Sequence, residues 1–219
     1  RIRVAVRIRP KIDEDLAMAA EHGTPHADEC LHEIAHERTV QLTKPYFDTR
    51  EFQLDTVLGR DATQAQTYVA VAQPVVDDVL GGFNGTILAY GQTGTGKTHT
   101  IYGPVSAWSS ERPRRGEPRA PIELSGIVAR AGMHIFEHIE RARASPANRE
   151  EWRVCVSSLQ IYQEAISDLL APPPPPGGRA AALNVREDPV LGVRAEGLSV
   201  HDATNVGELL ELIAASATH

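Results

Sequence analysis

The sequence predicts an α/β domain, and two observations carry that prediction. Strand-like and helix-like patterns alternate along the chain, as they do in layered α/β domains. A glycine-rich loop, GQTGTGKT at residues 91–98, joins one strand-like run to one helix-like run. The 219 residues, 42% hydrophobic and 23% charged, suffice for one domain with a sizeable core, and no composition shift divides them.

The elements follow in chain order. Residues 1–9, RIRVAVRIR, alternate charged and apolar side chains and are expected to form a strand from the first residue. The polar stretch Asp13–Glu37 has little periodicity and is expected to be loop. TVQLT (39–43) and REFQLDTVL (50–58) read as short strands. From Ala62 to Leu80, Tyr68, Val71, Ala72, Val75, Val76 and Val79 mark one face of an amphipathic helix. Asp61 with Gln64 is expected to cap it, Gly81-Gly82 to end it and Pro74 to kink it. A strand over Thr86–Tyr90 then leads into the glycine loop.

Beyond the loop, Pro104–Pro121 is breaker-rich, with arginines at 112, 114, 115 and 119 expected in solvent. Ile127, Val128, Ala131, Ile135, Phe136 and Ile139 mark a second helix. WRVCVSSLQIY (152–162) reads as a strand and EAISDLL (164–170) as a short helical turn. Residues 171–181 hold a polyproline insertion that fits neither helix nor central strand. LNVRE and VRAEGLSV, joined by DPVLG, read as a hairpin. Asn205 with Glu208 caps a last helix that has no closing glycine or proline, so the chain is expected to be a fragment of a larger protein.

The bulk properties exclude several classes. A net charge of −7 argues against general nucleic-acid binding. Two cysteines, Cys30 and Cys155, are too few for a disulfide framework or a cysteine zinc site. No apolar run suits a membrane span and no signal peptide is legible, so a soluble, cytoplasmic setting is the expectation.

Two motifs carry chemistry. Gly91-Gln92-Thr93-Gly94-Thr95-Gly96-Lys97-Thr98 fits G-x-x-x-x-G-K-[ST]. Its glycines let backbone N–H groups turn inward as an anion nest, beside a helix N-terminus. Lys97 can reach the β- and γ-phosphates of a nucleotide, and the Thr98 hydroxyl can hold Mg²⁺. A kinase, a pump, a switch and a motor can all use such a loop. Hydrolysis also needs an acidic Mg²⁺ partner at another strand end. None is legible after Lys97, because Asp168 and Asp188 follow helix-like or turn-like residues, so the catalytic half is expected to lie elsewhere. The second motif, His32-Glu33-Ile34-Ala35-His36, fits the H-E-x-x-H of zinc peptidases. It sits in the polar, weakly periodic stretch, and a solvated loop is the expectation there.

Further residues tie the phosphate loop to one family. Arg7-Ile8-Arg9-Pro10, Phe52–Gly59 with Asp61-Ala62-Thr63-Gln64, and Phe83-Asn84-Gly85-Thr86-Ile87 running through Ala89–Thr100 come in order. Ser158–Glu164 with Asp168-Leu169-Leu170 follows, then Arg186–Pro189 with Gly192-Val193 and Glu196-Gly197-Leu198. In these blocks, and over nearly its whole length, the chain resembles the kinesin motor domain. The resemblance implies a P-loop NTPase-type α/β fold, with a mixed central β-sheet flanked by helices. It implies ATP and Mg²⁺ as ligands, hydrolysis by in-line attack of water on the γ-phosphate, and the microtubule as partner at the cytoskeleton. Arg7, Pro10 and His99 are then expected beside the adenine. The backbone of Gln92, Thr93, Gly94, Thr95, Gly96 and Lys97 is expected around the phosphates, Lys97 as the catalytic cation and Thr98 on Mg²⁺. Only the hairpin Leu183–Val200 is expected to touch the track.

There are departures from the family pattern. Leu54 and Leu58 replace phenylalanines, and Ile101-Tyr102-Gly103 replaces a methionine-containing end of the loop helix. The family's two switch motifs are not found in residues 1–219, so the chain is expected to be the N-terminal portion of such a domain and to hydrolyse ATP weakly by itself. A nucleotide-binding module without motor activity remains the alternative.

Overall fold

A computed structural model describes residues 2–13, 15, 17, 21, 31–34, 38–43, 48–104, 122–146, 150–172, 182–189 and 192–217. They fall into two compact units, Arg1–Gly103 and Pro104–His219.

In the first unit, β1 (Ala5–Arg7) pairs in parallel with β5 (Thr56–Leu58), and Arg7 lies opposite Leu58. The alternation over residues 1–9 thus yields a shorter ladder, prolonged by Ile8 N–H donating to Leu58 O at 2.8 Å. A three-stranded antiparallel sheet, β2–β3–β4, comprises Leu31–Ile34, Thr39–Leu42 and Arg50–Gln53. β2 corrects the expected loop: its backbone pairs with β3, His32 opposite Gln41. The run 50–58 splits between two sheets. At the break the Asp55 carboxylate accepts from Val4 N–H at 2.9 Å, which directs the chain from β4 to β5.

The first helix starts at α1 (Gln64–Thr67), and its cap is Thr63 rather than Asp61. Thr63 Oγ1 accepts from Gln66 N–H at 3.1 Å, and Gln66 Oε1 accepts from Thr63 N–H at 2.9 Å, a reciprocal capping box. A π-helical segment, Tyr68–Ala72, leads into α2 (Gln73–Leu80), and Gln73 N–H donates to Tyr68 O five residues back. Pro74 supplies the reason. It lacks an N–H, and in a continuous α-helix its ring would strike the carbonyl of Ala70, so the wider turn is the form its distortion takes. Tyr68, Ala72 and Val76 bury one stripe, and Gly81-Gly82 closes the helix with Gly82 at φ 93°.

Thr86–Tyr90 is not a strand, contrary to expectation. A strand exists by pairing, and this run has no ladder to join among the described residues. Leu88 is 85% and Tyr90 95% exposed, so its apolar side chains are uncovered.

The loop helix α3 (Lys97–Ile101) ends the helices of the first unit, and the second unit holds α4 (Ile127–Ala144) and α5 (Val206–Ala217). α4 buries Ile127, Ala129, Phe136 and Ile139; α5 buries Leu209 and Ile213. Gly132 faces Leu209 so closely that a Cβ there would overlap the leucine Cδ2. α5 is capped as expected by Asn205 Oδ1, which accepts from Glu208 N–H at 3.0 Å; the Glu208 carboxylate reaches back to Thr204.

The run 152–162 also divides. β6 (Val154–Val156) pairs with β11 (His201–Ala203), and β7 (Leu159–Tyr162) forms a hairpin with β8 (Ala165–Asp168). β8 replaces the expected helical turn because Gln163 and Glu164 both take positive φ, 48° and 63°, the conformation of a two-residue hairpin turn. The second hairpin is as expected: β9 (Asn184–Asp188) and β10 (Gly192–Glu196) are antiparallel. Arg186 and Arg194 lie directly opposite each other, each paired with an acid, Glu196 at 2.7 Å and Asp188 at 3.1 Å.

The described strands form five separate small sheets, β1–β5 parallel and the others antiparallel. Both pairing directions of the expected mixed sheet are present, without one continuous sheet among the described residues. No helix among them is long and apolar enough to cross a membrane. Pro104 apart, the arginine-rich loop lies outside the described residues, as does the polyproline insertion beyond Pro172.

Candidate functional site

The glycine loop closes on itself. Gly94 and Gly96 lie at φ 86° and 92°, conformations that side-chain-bearing residues adopt at a cost. Gly96 is the N-cap of α3 (Lys97–Ile101), whose first N–H groups lack helical acceptors. The Lys97 ammonium donates to Gly91 O at 2.7 Å and Gln92 O at 2.9 Å, and Thr95 Oγ1 donates to Gln92 O at 2.8 Å. The Lys97 ammonium is thereby held by two backbone carbonyls of the loop, next to the N-terminus of α3. Thr98, the second residue of α3, is exposed.

A second cluster joins β1, α1 and α3. The Arg7 guanidinium donates through Nη1 to Gln64 Oε1 at 3.0 Å and Thr100 Oγ1 at 3.1 Å, and through Nη2 to Ala62 O at 3.1 Å. Gln64 Nε2 donates to His99 O at 2.7 Å and contacts His99 Nδ1 at 3.2 Å. Loss of hydration lowers the Arg7 pKa. His99 also lies below its ordinary value, first through loss of hydration around the ring and then through the charge of Arg7. Arg7 and His99, expected together, are thus brought together, while Pro10 stands apart and exposed. Pro10 O accepts from Arg9 Nη1 at 3.3 Å, and Arg9 makes a two-point ion pair with Asp15 at 2.6 and 2.7 Å. The Arg9 Cδ is the atom that a Cβ at Gly96 would meet, at 3.9 Å.

Gln64 and Thr100 were missed as members of the site. Gln64 carried a signal: it falls four residues before Tyr68 on the buried stripe, and only 6% of it is exposed. A polar side chain on a buried face needs partners. A cavity of about 630 Å³ beside Leu58, Arg60, Ala62 and Val69 shares only Ala62 with the cluster and does not include the loop.

Two carboxylates are corrected in position. Asp168 and Asp188 end strands β8 and β9, but both have structural partners. Asp168 accepts from Ser199 N–H at 2.7 Å and Leu170 N–H at 2.8 Å, and Asp188 pairs with Arg194. Desolvation raises the Asp168 pKa, but the hydrogen bonds from Ser199 and Leu170 outweigh it and the net shift is downward. The zinc motif fares worse. His32, Glu33 and Ile34 lie in β2, not on a helix. The motif needs both histidines on one face of a helix, and His36 is outside the described residues. No group of three or more potential metal ligands occurs among the described residues.

Comparison with known proteins gives a consistent result. A family model, the kinesin motor domain, matches residues 7–219. The kinesin-like protein KIN-UA of Oryza sativa subsp. japonica is 35% identical over 211 residues, 94% of this chain and 19% of that protein. KIN-UA of Arabidopsis thaliana is 34% identical over 220 residues, 100% of this chain and 20% of that protein. The kinesin-like protein KIF3C of Mus musculus is 40% identical over 160 residues, 73% of this chain and 17% of that protein. The chain spans about a fifth of the length of the curated relatives it matches.

Proposed function

Because the chain belongs to the kinesin motor-domain family, we propose that it is the ATP-binding part of a motor that couples ATP hydrolysis to movement along microtubules. The observation that carries the proposal is the closed loop, with Lys97 spanning the Gly91 and Gln92 carbonyls above two left-handed glycines. On binding, the ammonium exchanges those carbonyls for the β- and γ-phosphate oxygens, and the amides of Gln92–Lys97 donate to the same group. Lys97 then offsets the charge that develops as water attacks the γ-phosphorus in line and ADP leaves with the β–γ bridging oxygen. The Thr98 hydroxyl is the residue to hold Mg²⁺, which when bound neutralises phosphate charge. Arg7, His99 and Pro10 would flank the adenine.

The microtubule contact within this chain is assigned to the β9–β10 hairpin, which presents Val185, 59% exposed, and Val193, 71% exposed, among its ion pairs. With Asp168 and Asp188 engaged by other groups, the 219 residues by themselves are proposed to turn over ATP weakly. ATP hydrolysis by the intact protein with and without microtubules tests the proposal. The expected result is strong stimulation by microtubules that Lys97→Ala abolishes. ATP binding without stimulation would leave the non-motor module as the answer, and activity lost on zinc removal would reinstate the peptidase.

A further inference from the structure

The amide of Gln64 is oriented without ambiguity by its neighbours. An arginine can only donate and a backbone carbonyl can only accept. Gln64 Oε1 therefore faces Arg7, 3.0 Å away, and Gln64 Nε2 faces His99 O, 2.7 Å away. The same nitrogen lies 3.2 Å from His99 Nδ1. Having only hydrogens to offer, it makes Nδ1 an acceptor. The ring must then be neutral, with its hydrogen on Nε2. A protonated ring would set N–H against N–H at that contact.

We infer, resting on the assignment of Arg7 and His99 to the base, that Gln64 is a positioning residue of the nucleotide site: it fixes His99 as the neutral Nε2–H tautomer and ties it to Arg7. The ring then has one donor, Nε2–H, for a ligand, while its other nitrogen is committed to the protein. Arg7 is tied down at the same time, because Thr100 and Ala62 take its remaining bonds to this cluster. Glutamine combines what the position needs. It supplies one acceptor and two donor hydrogens on a neutral planar group, at a length that spans from α1 to both β1 and α3. Glutamate would still hold Arg7 but would turn a carboxylate oxygen toward the His99 carbonyl. The depressed pKa of His99 agrees with a ring kept neutral.

The test uses the intact protein, its Gln64→Glu variant, and Gln64→Met, which keeps the side-chain length. The ring nitrogen shifts of His99, assigned by their loss in His99→Gln, report the tautomer without any nucleotide. The expected result is Nε2–H in the wild type, and Nδ1–H or a protonated ring in Gln64→Glu. Affinities for Mg-ATP and for Mg-tripolyphosphate, which has no base, report the consequence. Gln64→Met is expected to weaken Mg-ATP about tenfold or more, the scale of a lost hydrogen bond to a site residue, and to leave tripolyphosphate nearly unchanged. An Nδ1–H ring in the wild type, or a ratio of the two affinities unmoved by either variant, would overturn the assignment. If the wild type binds neither compound, the nucleotide reading fails by itself, and the tautomer measurement still decides the role of Gln64.

Discussion

A histidine in an unfolded chain takes its proton near pH 6.5, whereas His99 lies below that value because its ring is partly stripped of water and faces Arg7. Between the folded value and 6.5 the unfolded chain therefore binds more protons than the folded one. The stability that His99 contributes is complete above 6.5 and is lost as pH falls through the folded value. Urea midpoints at about pH 7.5 and about pH 5.5 check this. The wild type should lose more stability between them than His99→Gln, and equal losses would contradict the shift. At this scale the sequence showed the types of residue in the site but not their partners. Arg7 and His99 were expected together only through the family resemblance. Gln64 was read as a helix cap, because its bonds to positions 7 and 99 depend on three elements meeting.

Elements were legible where their signals are local. The loop Gly91–Thr98, the Asn205–Glu208 cap and the β9–β10 hairpin each depend on residues within a short span. Those misread depend on something further away or chemically silent. β8 follows a turn of Gln163 and Glu164, which carries neither the glycine nor the asparagine that usually marks positive φ. Thr86–Tyr90 has the composition of a strand but no ladder to join among the described residues. The cap of α1 moved from Asp61 to Thr63 because the Gln64 amide, three residues after Asp61, is engaged by Arg7 and His99, whereas Gln66 bonds back to Thr63 N–H. Thr63→Ala should accordingly destabilise the protein by about 1 kcal/mol, read from the urea midpoint. Asp61→Ala should do less, and the reverse order would return the cap to Asp61. Where α4 meets α5, Gly132→Ala forces a Cβ into buried Leu209. The expected cost is about 1–3 kcal/mol, and Leu209→Ala in the same chain should recover part of it.

For the whole molecule, the α/β class was legible from alternation alone. How the strands are shared out was not. The runs 50–58 and 152–162 each read as one strand, and each serves two sheets, because pairing partners far along the chain decide where a strand ends. Every residue assigned to the nucleotide, Arg7, Pro10 and Gln92–His99, belongs to the unit Arg1–Gly103, and the proposed track hairpin belongs to Pro104–His219. The central claim, that the closed loop of the first unit is an ATP site, is open to one direct measurement. It is the equilibrium affinity of the intact protein for Mg-ATP, with and without the Lys97→Ala substitution. Removal of the cation proposed to bond the β- and γ-phosphates should weaken binding about a hundredfold, some 2.7 kcal/mol. A Lys97→Ala variant that binds Mg-ATP as tightly as the wild type would contradict the account.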